Sequence, residues 1–241
     1  MAKMKEESID QYLFRVSKEK DELFKNITSF VEEEIRSILL MKDRFQLCIC
    51  GGSTPKGVYS LLSRSNLPWE RVDVFLGDER CVSPYSKESN SLMVRNSLLL
   101  NSASSASFYQ FFDNEVLDEE NFKQSFKKIL SEKCSGSPPS FDLTLLGIGD
   151  DGHTASLFPF KENNVDDFIL FSEGKGIRRV SLTPKVFNAS KKIAFLVSGS
   201  SKKEAIKRLS NQKETSDRTP AKLIKSKSKI SVFCDEEAYN Y

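Results

Sequence analysis

The chain of 241 residues carries a single histidine, His153. It has no apolar run approaching the roughly 18 residues of a membrane-spanning helix, so a membrane partner is not expected. Its first residues, MAKMKEESIDQYLF, lack the apolar core of a secretory leader. Neither sign of charge dominates, with 36 Lys and Arg against 34 Asp and Glu. That balance creates no demand for an anionic polymer, and no nucleic-acid partner is expected. The five cysteines form no CxxC pair, so neither a disulfide framework nor a thiolate metal site is expected. Reduced thiols, and with them a cytoplasmic location, are the expectation. There is no internal repeat.

What is present is a recurring pattern: a short apolar run that ends in glycine. FQLCICGG reaches Gly51 and Gly52, VDVFLGDER reaches Gly77, FDLTLLGIG reaches Gly147 and Gly149, and KKIAFLVSG reaches Gly199. Such near-continuous apolar strands are buried on both faces, as in a parallel sheet. Helical segments are predicted between them at Thr54–Arg64, Glu88–Leu100, Leu117–Cys134 and Ser201–Ser210. Leu23, Ile27, Phe30, Val31, Ile35 and Ile38 recur at helical spacing and predict a long N-terminal helix ending near Met41. Alternating strands and helices give an open, mostly parallel α/β sheet flanked by helices. CSGSPPS (134–140) is the clearest connector, but the same pattern lies on both sides, so residues 1–241 are read as one domain. The basic run KLIKSKSK (222–229) is read as a solvated lead-in to a strand.

In open α/β sheets ligands bind beyond the carboxyl ends of the strands. Those ends hold GGSTP, GDER, GIGDDGH and SGSSKK. In GGSTP, Gly51, Gly52, Ser53 and Thr54 make a candidate cradle for a phosphate or an oxyanion, with Thr54 as helix cap. It is not a Walker A loop, because the GK[ST] ending is missing. Asp78, Glu79 and Arg80 are placed on a loop just past a strand, where charged side chains bind polar substrates or pair with one another. Gly147, Gly149 and Gly152 match G-x-G-x-x-G. The dinucleotide reading is rejected, because Asp150 and Asp151 oppose a pyrophosphate and Pro159 leaves room only for a short helix. His153 thus sits on a glycine-rich turn beside an acidic pair. An unperturbed imidazole titrates near 6.5, which suits a base at neutral pH, and Asp151 is the candidate to orient this one. Arg179, on the predicted strand RRVSLT, and Lys202, at a helix start, are candidate phosphate partners.

These segments resemble, in order and along nearly the whole chain, those of the 6-phosphogluconolactonases. GIGDDGHTASLFP is similar to that family's GxGxDGHTASLFP segment. CGGSTP resembles its first phosphosugar loop, and GDERCVSPYSKESN its Asp-Glu-Arg segment with Ser89 and Asn90 ahead of a helix. RRVSLTPKVFNASKKIAFLVSGSSKKEAI resembles its R-[IV]-[ST]-L-T strand followed by G-x-x-K, and TPAKLI its last motif. Ser181 and TPKVFNAS vary around the consensus, and Cys81 stands where an aromatic is common. The resemblance implies a Rossmann-like sheet shared with glucosamine-6-phosphate deaminases, ribose-5-phosphate isomerases and coenzyme A transferases. It implies hydrolysis of 6-phospho-D-glucono-1,5-lactone to 6-phosphogluconate in the oxidative pentose phosphate pathway, which supplies NADPH. No metal and no redox cofactor are implied. It also implies a monomer coupled functionally to glucose-6-phosphate dehydrogenase.

On that reading His153 is the base that activates water, Asp151 orients it, and Arg80 or the Gly51–Thr54 backbone stabilises the oxyanion. Arg179 and Lys202 hold the 6-phosphate, with Asp78 in the substrate-binding wall. Two other readings stand beside it. A glucosamine-6-phosphate deaminase also carries a DGH segment, but has an aromatic where this chain has Arg80, and lacks the TASLFP continuation. A sugar-phosphate-sensing regulator needs a DNA-binding module, and the single N-terminal helix offers none.

Overall fold

The apolar runs that end in glycine form the middle of one large sheet. The structure is a computed structural model and describes residues 4–111, 118–163 and 165–240. Its strands are β1 (Lys5–Ile9), β2 (Tyr12–Ser17), β3 (Phe45–Ile49), β4 (Val72–Leu76), β5 (Asp78–Arg80), β6 (Ser107–Tyr109), β7 (Leu143–Gly147), β8 (Ile169–Gly174), β9 (Ile177–Leu182), β10 (Lys192–Val197) and β11 (Ile230–Asp235). Its helices are α1 (Lys20–Leu39), α2 (Ser53–Leu62), α3 (Asn90–Arg95), α4 (Glu119–Lys133), α5 (Pro184–Phe187), α6 (Lys203–Ser210) and α7 (Glu236–Tyr239).

The main sheet runs β1-β2-β11-β10-β7-β3-β4-β6. Its pairings are parallel except for the β1–β2 hairpin at one edge. This is the open, mostly parallel sheet flanked by helices that the pattern predicts. β3, β4 and β11 are buried at every position, as strands covered on both faces must be. α1 is the predicted N-terminal helix. It buries Leu23, Ile27, Val31, Ile35 and Leu39 and stops two residues before Met41. Asp21 and Glu22 lie in its first turn and Arg36 in its last, each matching the sign of the helix dipole. The basic run leads into β11, with Lys225, Lys227 and Lys229 exposed. Among the described residues no helix is long and apolar enough to cross a membrane.

Several predicted elements change. The helix predicted over Glu88–Leu100 is confined to Asn90–Arg95 and is capped by Ser89, whose hydroxyl accepts from the Leu92 N–H at 3.1 Å. α4 begins at Glu119, and the predicted start at Leu117 lies outside the described residues. No helix follows GIGDDGH. The chain turns instead through Gly152 at φ +88° and Ala155 at φ +47°, left-handed positions that interrupt a right-handed helix. β1 was not anticipated, because KEESI is an exposed edge strand without an apolar face.

The largest correction concerns Asp78–Arg80. These residues are not a loop but strand β5 of a second, antiparallel sheet in the order β5-β9-β8. Arg179, on β9, belongs to that sheet as well. Gly77 joins the two sheets: its N–H donates to the Ile49 carbonyl at 2.8 Å, and its own carbonyl accepts from the Leu182 N–H at 2.9 Å. A strand this short shows no periodicity, so the pattern alone does not reveal it. The buried core nevertheless runs through both sheets, from Leu47, Phe75 and Phe195 to Ile169, Val180 and Leu182.

Candidate active site

From β3 the chain builds outward through β4 and β6. It then returns to the other side of β3 with β7 and continues through β10 and β11. The strand order therefore reverses between the neighbours β3 and β7. In open α/β sheets that reversal opens a crevice beyond the carboxyl ends. A cavity of about 200 Å³ lies there. Gly51, Gly52, Ser53, Thr54, Asp78, Arg80, Gly149, His153, Arg179 and Lys202 all line it. Asp151 does not line this cavity but touches it through His153. A larger depression of about 770 Å³ lies elsewhere, beside Asp10, Glu214 and Lys222. Polar groups there, such as Gln11, Asn188 and Lys222, bond to backbone carbonyls of the surrounding loops.

His153 is held on three sides. Its Nδ1 lies 2.5 Å from Asp151 Oδ1, and its backbone N–H donates to the same oxygen at 3.1 Å. Its carbonyl accepts from the Gly149 N–H at 2.8 Å. Its ring packs on Phe158, with centroids 4.9 Å apart. Gly149 permits this turn, because a Cβ there would lie 2.0 Å from His153 Nδ1. Burial acts to raise the Asp151 carboxyl, but the hydrogen bond and charge of His153, with Lys175 adding to them, hold it well below the usual carboxylate range. An ionised Asp151 on Nδ1 favours the tautomer whose Nε2 lone pair is free to accept a proton.

The small sheet contributes a pair of guanidiniums. Arg80 and Arg179 are directly opposed in the β5–β9 pairing. Arg179 is 6% exposed and lies over the Phe158 ring, with its Nη1 3.9 Å from Asp78 Oδ2. Burial, with Arg80 adding to it, lowers the Arg179 pKa. Arg80 donates to the Glu88 carbonyl at 2.5 Å, and its buried Nε has no partner among the described residues. Two like charges side by side favour an anionic ligand. Asp78 lines the cavity, but its carboxylate already accepts from Ser156 Oγ at 2.6 Å.

Sequence reasoning gave Glu79 no separate task. The buried Glu79 carboxylate accepts from the backbone N–H groups of Arg80, Asn90 and Ser91, each at 2.7 Å, and from Ser89 Oγ at 3.2 Å. It fastens β5 to the start of α3. Asn90 is thereby pressed on the first loop: a Cβ on Gly51 would lie 2.0 Å from Asn90 Oδ1. Thr54 is not the cap of α2. The cap is Gly52, two residues earlier and at φ +118°, and Thr54 Oγ1 instead pairs with Ser198 Oγ at 2.7 Å. Lys202 sits on a helical turn just before α6, with Nζ 3.7 Å from Asp150 Oδ1. Lys175 also lines the cavity and was missed. The signal was available, since Lys175-Gly176 is a two-residue turn between two strand-like runs. Among the described residues no cluster of three or more His, Cys, Asp or Glu is placed to hold a metal ion.

The same chain matches known proteins over most of its length. The model of a family described as glucosamine-6-phosphate isomerases/6-phosphogluconolactonase matches residues 18–233. A 6-phosphogluconolactonase of Synechocystis is 32% identical over 213 residues, covering 86% of this chain and 89% of that protein. One from Thermotoga maritima is 33% identical over 212 residues, covering 85% and 92%. The crystal structure of a 6-phosphogluconolactonase from Shewanella baltica superposes with a TM-score of 0.84 at 25% identity, covering 97% of this chain and all of that one. Fold and sequence agree, and the chain belongs to the glucosamine-6-phosphate isomerase/6-phosphogluconolactonase family.

Proposed function

We propose that this protein hydrolyses 6-phospho-D-glucono-1,5-lactone to 6-phosphogluconate. The observation that carries the reading is the Asp151–His153 pair opening into a cavity lined by Arg80, Arg179 and Lys202. One end of such a site activates water, and the other binds a phosphate. The Nδ1–H of His153 donates to Asp151, and Nε2 takes a proton from water as its oxygen attacks C1 of the lactone. The carbonyl becomes a tetrahedral oxyanion. Arg80 stabilises it, favoured over the Gly51–Thr54 backbone because its buried Nε has no partner among the described residues. The intermediate then collapses, the C1 bond to the ring oxygen breaks, and the imidazolium returns its proton to that oxygen. Arg179 and Lys202 hold the 6-phosphate, and that binding positions C1 against the base. No step needs a metal or a redox cofactor. The chain acts as one domain, a reading supported by the core shared between its two sheets, and as a monomer.

The test is lactone decay. The δ-lactone is generated in situ from glucose 6-phosphate by a dehydrogenase, and its loss is followed by NMR with no protein, with wild type and with His153→Ala. Wild type accelerates the loss, and the variant lowers kcat by about 10²–10⁴-fold, the usual contribution of a general base. Wild-type decay at the background rate would sink the reading. Full turnover by His153→Ala would remove the base assignment.

A further inference from the structure

The tip of the β8–β9 hairpin brings a further cation to the site. Lys175 and Gly176 form its tip, at φ +55° and +74°, the left-handed pair that a tight two-residue turn requires. The tip is braced on the site wall. The carbonyl of Gly174 accepts from Arg179 Nε at 3.4 Å, and Gly174 packs against the Phe158 ring that also covers His153. From there Lys175 Nζ reaches to 3.6 Å from Asp150 Oδ1. Lys202 Nζ reaches the same oxygen, from the other side of the chain fold, at 3.7 Å. Two ammonium groups on separate elements thus converge on one carboxylate oxygen, and all three residues line the cavity. Asp150 itself is weakly anchored: its side chain is 62% exposed.

We infer that Lys175 is a specificity-determining residue, which binds the substrate's phosphate together with Lys202, and that Asp150 is the internal anion this phosphate displaces. The inference rests on the lactonase reading. A phosphomonoester carries a charge of about −1.5 to −2 and three acceptor oxygens, so it outcompetes a single carboxylate for two ammonium groups. A neutral sugar lactone gains nothing from the exchange. Lys175 thereby selects phosphorylated over unphosphorylated lactone while standing apart from the bond-breaking step.

Steady-state kinetics on 6-phosphogluconolactone and on unphosphorylated D-glucono-1,5-lactone test this. Lys175→Met is expected to raise KM for the phosphorylated lactone about tenfold, with kcat little changed, and to leave the neutral lactone's constants unaltered. Lys175→Arg restores most of the loss, and Asp150→Asn lowers KM for the phosphorylated lactone. An equal effect of Lys175→Met on both lactones, or none on either, overturns the inference. Inorganic phosphate binding, followed by ³¹P NMR, needs no turnover. It is expected to weaken in Lys175→Met and tighten in Asp150→Asn, and unchanged affinity in both overturns the inference. Wild type that binds phosphate through Lys175 but hydrolyses no lactone would instead refute the proposed function alone.

Discussion

At the scale of single residues, the site is built on close approaches that leave no room for extra atoms. A methyl at Gly149 would fall 2.0 Å from His153 Nδ1. Gly149→Ala is therefore expected to push the imidazole away from Asp151 and lower kcat by about a hundredfold, the scale of a 1 Å misplacement. Circular dichroism should show the fold unchanged. Asp151 also couples the site to acid stability. Its folded pKa is depressed against the ordinary value near 3.9, so the stability it contributes is present above that value and lost as pH falls below it. Urea unfolding of wild type and Asp151→Asn should show a gap at pH 6 that closes as the pH drops from about 4 toward 2. A gap that widens on acidification would contradict the pairing.

At the scale of elements, the second sheet and α3 depend on one buried carboxylate. Glu79 accepts from three backbone N–H groups and a hydroxyl. An amide in its place presents an N–H₂ to donors and leaves at least one of them unsatisfied. Glu79→Gln is expected to cost about 2 kcal/mol or more, read as a lower urea midpoint with an unchanged slope. Activity should also fall, because the strand that carries Arg80 shifts. An unaltered midpoint would mean that β5 is held by its pairing with β9 alone. This element was hard to read in advance. Its three residues follow β4 after a single glycine, and nothing in VDVFLGDER marks where one sheet ends and the other begins.

At the scale of the whole molecule, a ligand that bridges both sheets stabilises the fold by linkage. The cavity is walled by the main sheet's loops on one side and by β5 and β9 on the other. The reaction product, 6-phosphogluconate, at a hundredfold its Kd should stabilise the native state by about 2.7 kcal/mol. For a chain of this size that is roughly 5–10 °C in Tm, measured by scanning calorimetry. No shift at saturation would mean that the cavity does not bind the product.

The parallel core is legible in the local pattern, because a strand covered on both faces has to be apolar throughout and end where the backbone can turn. That pattern also marks candidate residues for the site, Lys175 excepted. Glycines, the acidic pair and the lone histidine cluster where such strands stop, and His153 and Asp151 are two positions apart on one turn. Which charges share the cavity emerges only when the chain folds. Arg80 and Arg179 lie far apart in the chain and meet through an antiparallel pairing too short to leave a pattern. Lys175, Lys202 and Asp150 converge from three separate segments of the chain. Contacts of that kind depend on how sheets and hairpins pack, a long-range outcome that local spacing does not encode.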